Sequence, residues 1–302
     1  MTCGHSLRMN QVFRPVPVNT VCSTAFWDKL MTEDKTMLRR SFTVTAAHHN
    51  LSAEFLEPST GTRTGDLPTL VFLHEGLGCI PLWRNFPSML CEKTGCPALL
   101  YDRWGYGTSD PLPAVGPRAP SYLHEEAFVS LPEVLKQCDI DDAILIGHSD
   151  GGSMVLMYAA VYPDTVRGII TEAAHVFVEE ITLKGIREAV EIYKRTDLKE
   201  KLTKYHGHNT EKMFYGWADT WLSAEFRDWN IEEFLPRIVS PLLVLQGADD
   251  IYGTPAQVEA IAGQVAGPVT SRLVPNCGHI PHHEATEEVL DEMMEFICDL
   301  IM

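Results

Sequence analysis

A serine between two glycines is the residue of this sequence best suited to covalent chemistry. Gly147, Ser149 and Gly151 form a Gly-x-Ser-x-Gly pattern, directly after the apolar run 142–148 and before a helical pattern over 151–162. Between a strand and a helix this pattern makes a strained turn that lifts the serine hydroxyl off the sheet, and glycines are needed because neighbouring side chains would collide. The helix N-terminus favours developing negative charge. We therefore predict that Ser149 is a nucleophile.

A serine nucleophile needs a histidine base, and the base needs a carboxylate that orients it. The order expected for this turn is serine, acid, histidine. Asp249 and Asp250 follow the apolar run 241–247, and Asp250 completes a Gly-x-x-Asp spacing. We favour Asp250 as the acid, with Asp249 as the alternative.

The predicted base is His279, which follows Gly278 in a loop after the short run 271–274. His282 and His283 are the alternatives, but they lead into the last helical pattern and are expected to cap it or face solvent. His148, beside the nucleophile, is expected to pack within the turn. Ser149, Asp250 and His279 all follow strand ends, where an open α/β sheet places its site.

The elements that must position these residues alternate along the chain. Two alternating runs, 41–47 and 51–57, predict a hairpin. Continuous apolar runs predict further, doubly covered strands at 67–74, 97–102 and 142–148. Strands at 167–173, 241–247 and 271–274 complete the set. Helical patterns fall at 82–95, 122–138, 151–162 and 286–302, with a short helix near 25–38 and with Pro132 bending or dividing the second. The predicted fold is α/β, a mostly parallel eight-stranded sheet flanked by helices.

The chain divides into three parts. Residues 1–40 are expected to form an N-terminal arm, and 41–175 with 237–302 an α/β core. Residues 176–236 contain helical patterns, three tryptophans and no clear strand. We interpret this segment as a helical lid inserted over the sheet edge; a structural domain without a role at the site is the alternative.

Composition restricts the partners. The 302-residue chain carries a net charge of −17, which disfavours nucleic acid and anionic membranes as partners because both bind basic surfaces. The eight cysteines show no zinc spacing or dense disulfide pattern, so free thiols and a cytoplasmic location are expected. We expect a small-molecule substrate and neither a metal nor a cofactor. A homodimer stays an open alternative.

Five motifs together resemble the α/β-hydrolase superfamily over residues 41–302: HEGLG, YDRWGYGTSD, GHSDGG, GADDIYGT and CGHIPHHE. They look like a bacterial-type branch with HEGLG where the superfamily usually has His-Gly-x. The resemblance implies an α/β-hydrolase fold and a triad of Ser149, Asp250 and His279. Ser149 disfavours dehalogenase and epoxide hydrolase activity, because those relatives carry an aspartate nucleophile at this position.

The resemblance also implies an oxyanion hole. Its donors would be the N–H of Asp150 and that of Gly76, with Leu77 as the alternative for Gly76. His74 is expected to brace this loop. Glu75 departs from the superfamily pattern, and two interpretations stay open: an ion pair with Arg103 or Arg84, or contact with a substrate hydroxyl or amine.

Further substrate contacts are predicted for residues near the strand ends and in the lid. These are Leu77, His175, Trp217 and Tyr252, with Trp221 as another candidate. The predicted function is a serine hydrolase, EC 3.1.1 in type, that cleaves a small ester, a lactone or a C–C bond next to a ketone. The alternatives are a cofactor-free lyase and a ligand-sensing receptor with low turnover.

Overall fold

Eight strands form one sheet in the computed structural model, which describes residues 37–58 and 67–302. The strands are β1 Met37–Ala46, β2 His49–Pro58, β3 Thr69–Leu73, β4 Ala98–Tyr101, β5 Ala143–His148, β6 Val166–Glu172, β7 Leu242–Gly247 and β8 Val269–Val274. Their order in the sheet is β1-β2-β4-β3-β5-β6-β7-β8. β1 and β2 form the predicted hairpin, β2 pairs antiparallel with β4, and the remaining pairs are parallel. The predicted mostly parallel eight-stranded sheet is confirmed.

Helices connect the parallel strands. They are α1 Phe86–Thr94, α2 Tyr122–Glu125, α3 Leu131–Gln137, α4 Asp150–Val161, α5 Glu180–Arg195, α6 Leu198–His206, α7 Thr210–Trp221, α8 Pro255–Gln264, α9 Pro281–Glu284 and α10 Thr286–Ile301. Three of them, α5 to α7, lie in the insertion between β6 and β7. None of the helices in the described part of the chain is both long and apolar enough to cross a membrane.

The helical pattern over 122–138 is interrupted ahead of Pro132. A π-turn at Glu126–Ser130 separates α2 from α3. Proline has no N–H to bond the carbonyl four residues earlier, and its ring collides with that carbonyl. The backbone therefore changes locally from i→i+4 to the wider i→i+5 hydrogen bonding of a π-helix. The Phe128 carbonyl accepts a hydrogen bond from the Tyr162 hydroxyl at 3.4 Å instead.

The predicted boundary of the N-terminal arm needs correction. β1 begins at Met37 and pairs with β2 from its first residue, Met37 opposite Pro58. Residues 37–40 therefore belong to the sheet, because their backbone pairs with β2. Residues 37 and 38, which were expected to end a short helix near 25–38, are part of this strand instead. The rest of the arm and of that helix lies outside the described residues.

Two apolar cores cover the two faces of the sheet. Along β5, Ile144 and Ile146 pack into one core, whereas Leu145 packs into the other. This alternation follows from the two-residue period of a strand. Because all parallel strands end at the same edge, the loops that follow β3, β4, β5, β6, β7 and β8 meet there.

Candidate active site

The turn between β5 and α4 has the strained geometry that its glycines predict. Ser149 has φ 52° and ψ −115°, and its N–H donates to the Glu172 carbonyl at 2.8 Å. A side chain at Gly147 would lie 2.3 Å from the Gly151 carbonyl oxygen, and one at Gly151 would lie 1.9 Å from the Leu73 carbonyl oxygen. Only glycine fits at both positions, which is why the motif is compatible with this turn.

The three residues predicted as a triad form a hydrogen-bonded chain. His279 Nε2 lies 3.0 Å from Ser149 Oγ, and His279 Nδ1 lies 2.9 Å from both carboxylate oxygens of Asp250. Burial raises the pKa of Asp250, but the hydrogen bonds from His279 and from the Tyr252 N–H outweigh it and hold that pKa below its ordinary value. Asp250 is therefore a carboxylate at neutral pH, whereas Asp249 is exposed.

The loop after β3 is held through the carbonyl oxygen of Glu75. This oxygen accepts hydrogen bonds from His74 Nδ1 at 2.8 Å, from Arg103 Nη2 at 2.8 Å and from the Gly78 N–H at 3.1 Å. The carbonyl and the following N–H of a trans peptide point in opposite directions. The Gly76 N–H therefore points away from all three donors.

His74 braces this loop as a neutral ring. Its Nε2 accepts the Arg103 N–H at 3.1 Å, so the ring proton lies on Nδ1 and is donated to Glu75 O. Burial and then the charge of Arg103 lower the pKa of His74 well below its ordinary value. A ring with both nitrogens engaged and this low a pKa is not available as a second base.

A cavity of about 310 Å³ opens beside Ser149. All six candidate substrate-contact residues line it: Glu75, Leu77, His175, Trp217, Trp221 and Tyr252. The insertion contributes Thr182, Ile186, Leu202, Trp217 and Trp221 to its wall. Trp217 lies so close to the loop after β3 that a side chain at Gly76 would meet its indole nitrogen at 2.2 Å.

One buried polar group lies behind the turn. This group, which we call the arginine cluster, consists of Arg103, Asp150, Tyr122 and Trp221. Each of these residues is at most 1% exposed. Arg103 Nη2, the donor to Glu75 O, lies 3.5 Å from Asp150 Oδ2, and the Tyr122 hydroxyl donates to the same oxygen at 2.9 Å. Trp221 Nε1 donates to Tyr122 Oη at 2.9 Å. A single guanidinium thus contacts both residues next to the predicted oxyanion hole.

A second polar group, the histidine cluster, consists of Glu75, His148, Glu172 and His282. His148 Nε2 lies 2.7 Å from the His279 carbonyl oxygen, and its Nδ1 lies 3.6 Å from Glu75 Oε2. Both ring nitrogens of His148 therefore face acceptors, which favours the doubly protonated ring. Burial lowers the pKa of His148, but contact with Glu75 outweighs burial and raises it; the pKa of Glu75 is lowered in turn.

Two expectations about this region were wrong. Glu75 pairs with His148 and with neither Arg103 nor Arg84; Arg103 bonds only the Glu75 backbone. His282 neither faces solvent nor caps α10 with its side chain, because its Nδ1 contacts the buried Glu172 carboxylate at 2.7 Å. Glu172 was missed, although its place at the end of a predicted strand would have put it at this sheet edge.

Other side chains near the site are not suited to nucleophilic or metal chemistry. Burial, followed by the charge of His279, lowers the pKa of His175 to about 3, so this ring is neutral. Burial raises the pKa of Cys277 to about 12 and also raises that of Cys79, so neither thiol ionises at neutral pH. Within residues 37–58 and 67–302, no three His, Cys, Asp or Glu side chains are gathered as a metal site requires.

Comparison with known proteins agrees with this architecture. A family model described as alpha/beta hydrolase family matches residues 70–292. A proline iminopeptidase from Saccharolobus solfataricus is 28% identical over 77% of this chain and 86% of its own length. An sn-1-specific diacylglycerol lipase from Mus musculus is 23% identical over 77% of this chain and 81% of its own.

The fold is also found among solved structures. The enol-lactonase from Burkholderia xenovorans superposes with a TM-score of 0.66 at 18% identity, covering 85% of this chain and 99% of that one. At this identity the likeness shows the fold alone. Because the family model spans most of the chain, including the β5 turn, the loop after β3 and His279, this protein belongs to the alpha/beta hydrolase family.

Proposed function

We propose that this protein is a serine hydrolase that forms an acyl-enzyme on Ser149. The observation that carries the proposal is the continuous chain from Ser149 Oγ through His279 to the Asp250 carboxylate, with each link at 2.9–3.0 Å. Such a chain activates a hydroxyl that is a poor nucleophile at its ordinary pKa. The proposed substrate is a small ester or lactone, or a compound with a C–C bond next to a ketone.

The proton would travel on His279. His279 Nε2 accepts the Ser149 proton as Oγ attacks the carbonyl carbon, and then gives it to the leaving group as the tetrahedral intermediate collapses. Water replaces the leaving group, loses a proton to Nε2 and attacks the acyl carbon. Collapse of the second intermediate returns that proton to Ser149 Oγ. Asp250 holds the ring with Nδ1 protonated throughout.

Backbone donors would stabilise the oxyanion. The Asp150 N–H opens α4, and the Gly76 N–H points away from the three donors that hold the Glu75 carbonyl, which supports Gly76 over Leu77 as the second donor. Loss of one such donor costs about 2.7–4 kcal/mol in transition-state stabilisation. The arginine cluster would thus influence catalysis by orienting these two peptides.

The insertion is proposed as a lid. Five of its residues line the cavity, and both Trp217 and Trp221 come from α7. Their apolar rings would exclude water from the acyl-enzyme and contact the acyl chain. We also propose that Leu77, His175 and Tyr252 contact the substrate. The expected cytoplasmic location and the question of a homodimer stay predictions.

Covalent labelling tests the nucleophile. A fluorophosphonate probe should add one equivalent to the folded protein, detected by intact mass, with the adduct on Ser149 by peptide mapping. Ser149→Ala should abolish labelling. Ser240→Ala is the matched control, because Ser240 is a buried serine whose hydroxyl donates only to the Val166 carbonyl. Folded protein that does not label would contradict the proposal.

Turnover then separates the hydrolase from the two alternatives. Hydrolysis of p-nitrophenyl esters of increasing acyl length should show a maximum at the acyl length that the cavity accommodates, and Ser149→Ala should reduce it by at least a thousandfold. A ligand sensor would label without sustained turnover. A lyase would act on a substrate without consuming water, which incorporation of 18O from labelled water distinguishes.

A further inference from the structure

Arg84 is a cation on the cavity wall without a counterion in the described part of the chain. It ends the 3-10 turn Ile80–Trp83 and lines the same cavity as Ser149. Its guanidinium forms no ion pair or hydrogen bond with any residue of 37–58 or 67–302. This is notable in a chain with 41 acidic against 24 basic residues. A pocket cation that pairs with none of the described carboxylates is available to a ligand.

The backbone at Arg84 is strained. Its φ of 53° and ψ of −130° closely match the 52° and −115° of Ser149. For a residue with a side chain, this conformation carries a cost in strain, and such residues cluster at functional sites. Glycine would adopt it without that cost. The strained residue is thus one that lines the cavity.

The other charges on the cavity wall are compensated. Glu75 faces His148, and Asp150 faces Arg103 behind the wall. His283 is neutral, because burial and then the charges of His282 and Arg84 lower its pKa to about 3. Its Nε2 is buried without a partner among the described residues. The wall near Arg84 therefore combines one uncompensated cation with one unpartnered polar atom.

We propose that Arg84 binds a carboxylate of the substrate, so that the preferred substrate is an ester or lactone that carries a second, anionic group. This inference rests on the proposed hydrolase function and names its substrate class. A guanidinium suits a carboxylate because its planar fork donates two parallel hydrogen bonds. Arg84 thereby determines specificity, and the neutral His283 ring is the neighbouring polar group.

Matched ester pairs that differ only in charge test the proposal. 3-Acetoxybenzoate against 3-acetoxybenzamide places the charge on the leaving group; monophenyl adipate against the phenyl ester of adipamic acid places it on the acyl group. Wild-type protein should give the higher kcat/KM for the anionic member of at least one pair. Arg84→Gln should reduce that preference about three- to tenfold, with less than a twofold change for the neutral ester.

Two further variants control for charge and position. Arg84→Lys keeps the cation and should retain most of the preference. Arg195→Gln removes an exposed arginine of α5 that does not line the cavity, and should leave the preference unchanged. An unchanged ratio in Arg84→Gln, or an equal loss for both members of a pair, would overturn the proposal.

Binding without turnover separates this inference from the hydrolase proposal. Calorimetry with 3-acetoxybenzoate and with monophenyl adipate on Ser149→Ala protein needs no catalysis. Compared with Ser149→Ala alone, the double variant Ser149→Ala/Arg84→Gln should have a dissociation constant for the preferred anion that is about three- to tenfold higher. If wild-type protein hydrolyses none of the esters, the hydrolase proposal fails, and this measurement still decides the role of Arg84: equal dissociation constants would reject it.

Discussion

The arginine cluster and the histidine cluster lie on opposite faces of the sheet at the same edge. His148 ends β5 in register with Ile144 and Ile146, whose side chains enter one core, whereas Tyr122 and Trp221 belong to the other core. Each cluster contacts a loop that carries a group proposed for catalysis. The arginine cluster contacts the loop after β3 and the start of α4; the histidine cluster contacts the backbone of His279.

The two clusters differ in the kind of charge they use. Arg103 is permanently cationic and almost completely buried, so its contacts should not change over physiological pH. His148 is titratable, and its partner, Glu75, lines the cavity with 23% of its side chain exposed. The comparison indicates that stability depends mainly on the first cluster and that pH sensitivity comes from the second.

Breaking the arginine cluster should have the largest effect. Arg103→Met leaves the Asp150 carboxylate buried without its cation and should reduce the free energy of unfolding by about 3–5 kcal/mol at pH 7. Urea denaturation measures this. The double variant Arg103→Met/Asp150→Asn should recover part of the loss, because the unpaired charge is gone. A loss below about 1 kcal/mol would show that Asp150 does not depend on Arg103.

Removal of the tyrosine hydroxyl should weaken the same cluster less. Tyr122→Phe deletes one donor to Asp150 and the acceptor of Trp221 Nε1, and should cost about 1–3 kcal/mol in unfolding free energy. Tyr158→Phe is the matched control, since its half-buried hydroxyl contacts only Thr165 at 3.1 Å. Equal losses in the two variants would contradict the importance of Tyr122 for the buried carboxylate.

Breaking the histidine cluster should give a smaller and pH-dependent loss. The raised pKa of His148 contributes stability that is present below pH 6.5 and is lost as pH rises through the folded-state value. The lowered pKa of Glu75 contributes stability that is present above about pH 4.5. Glu75→Gln should therefore cost about 1 kcal/mol at pH 6 and less at pH 9, measured by urea denaturation. A loss that grows with pH would contradict the His148–Glu75 pair.

The smallest expected change in unfolding free energy is a stabilisation, opposite in sign to the three losses above. Arg84→Gly should raise the unfolding free energy by roughly 0.5–1 kcal/mol, because relief of backbone strain exceeds the entropy that glycine adds to the unfolded chain. Arg84→Ala removes the same charge but keeps the strained φ, and should not stabilise the protein. The contrast with Arg103→Met separates an arginine that stabilises the fold from one that does not.

The fold could be predicted because its signals are local. Six strand-like runs and a hairpin pattern located all eight strands, and the Gly-x-Ser-x-Gly motif between a strand and a helix located the strained serine. The start of β1 at Met37 was missed because residues 38–41 are exposed and do not alternate between apolar and polar side chains. The π-turn before Pro132 was anticipated only as a bend or a division of the helix, since the change to π-helical hydrogen bonding depends on how the helix packs.

The residues of the candidate site could be found, but their contacts could not. The sequence by itself determined which side chains reach the carboxyl edge of the sheet, because strand ends and glycine turns are encoded locally. Only the tertiary structure decided that Glu75 faces His148, that Arg103 joins Glu75 to Asp150, and that Arg84 pairs with no residue of 37–58 or 67–302. Those pairings join residues 28 to 73 positions apart, and burial, distance and the competition between desolvation and charge exist only once the chain has folded.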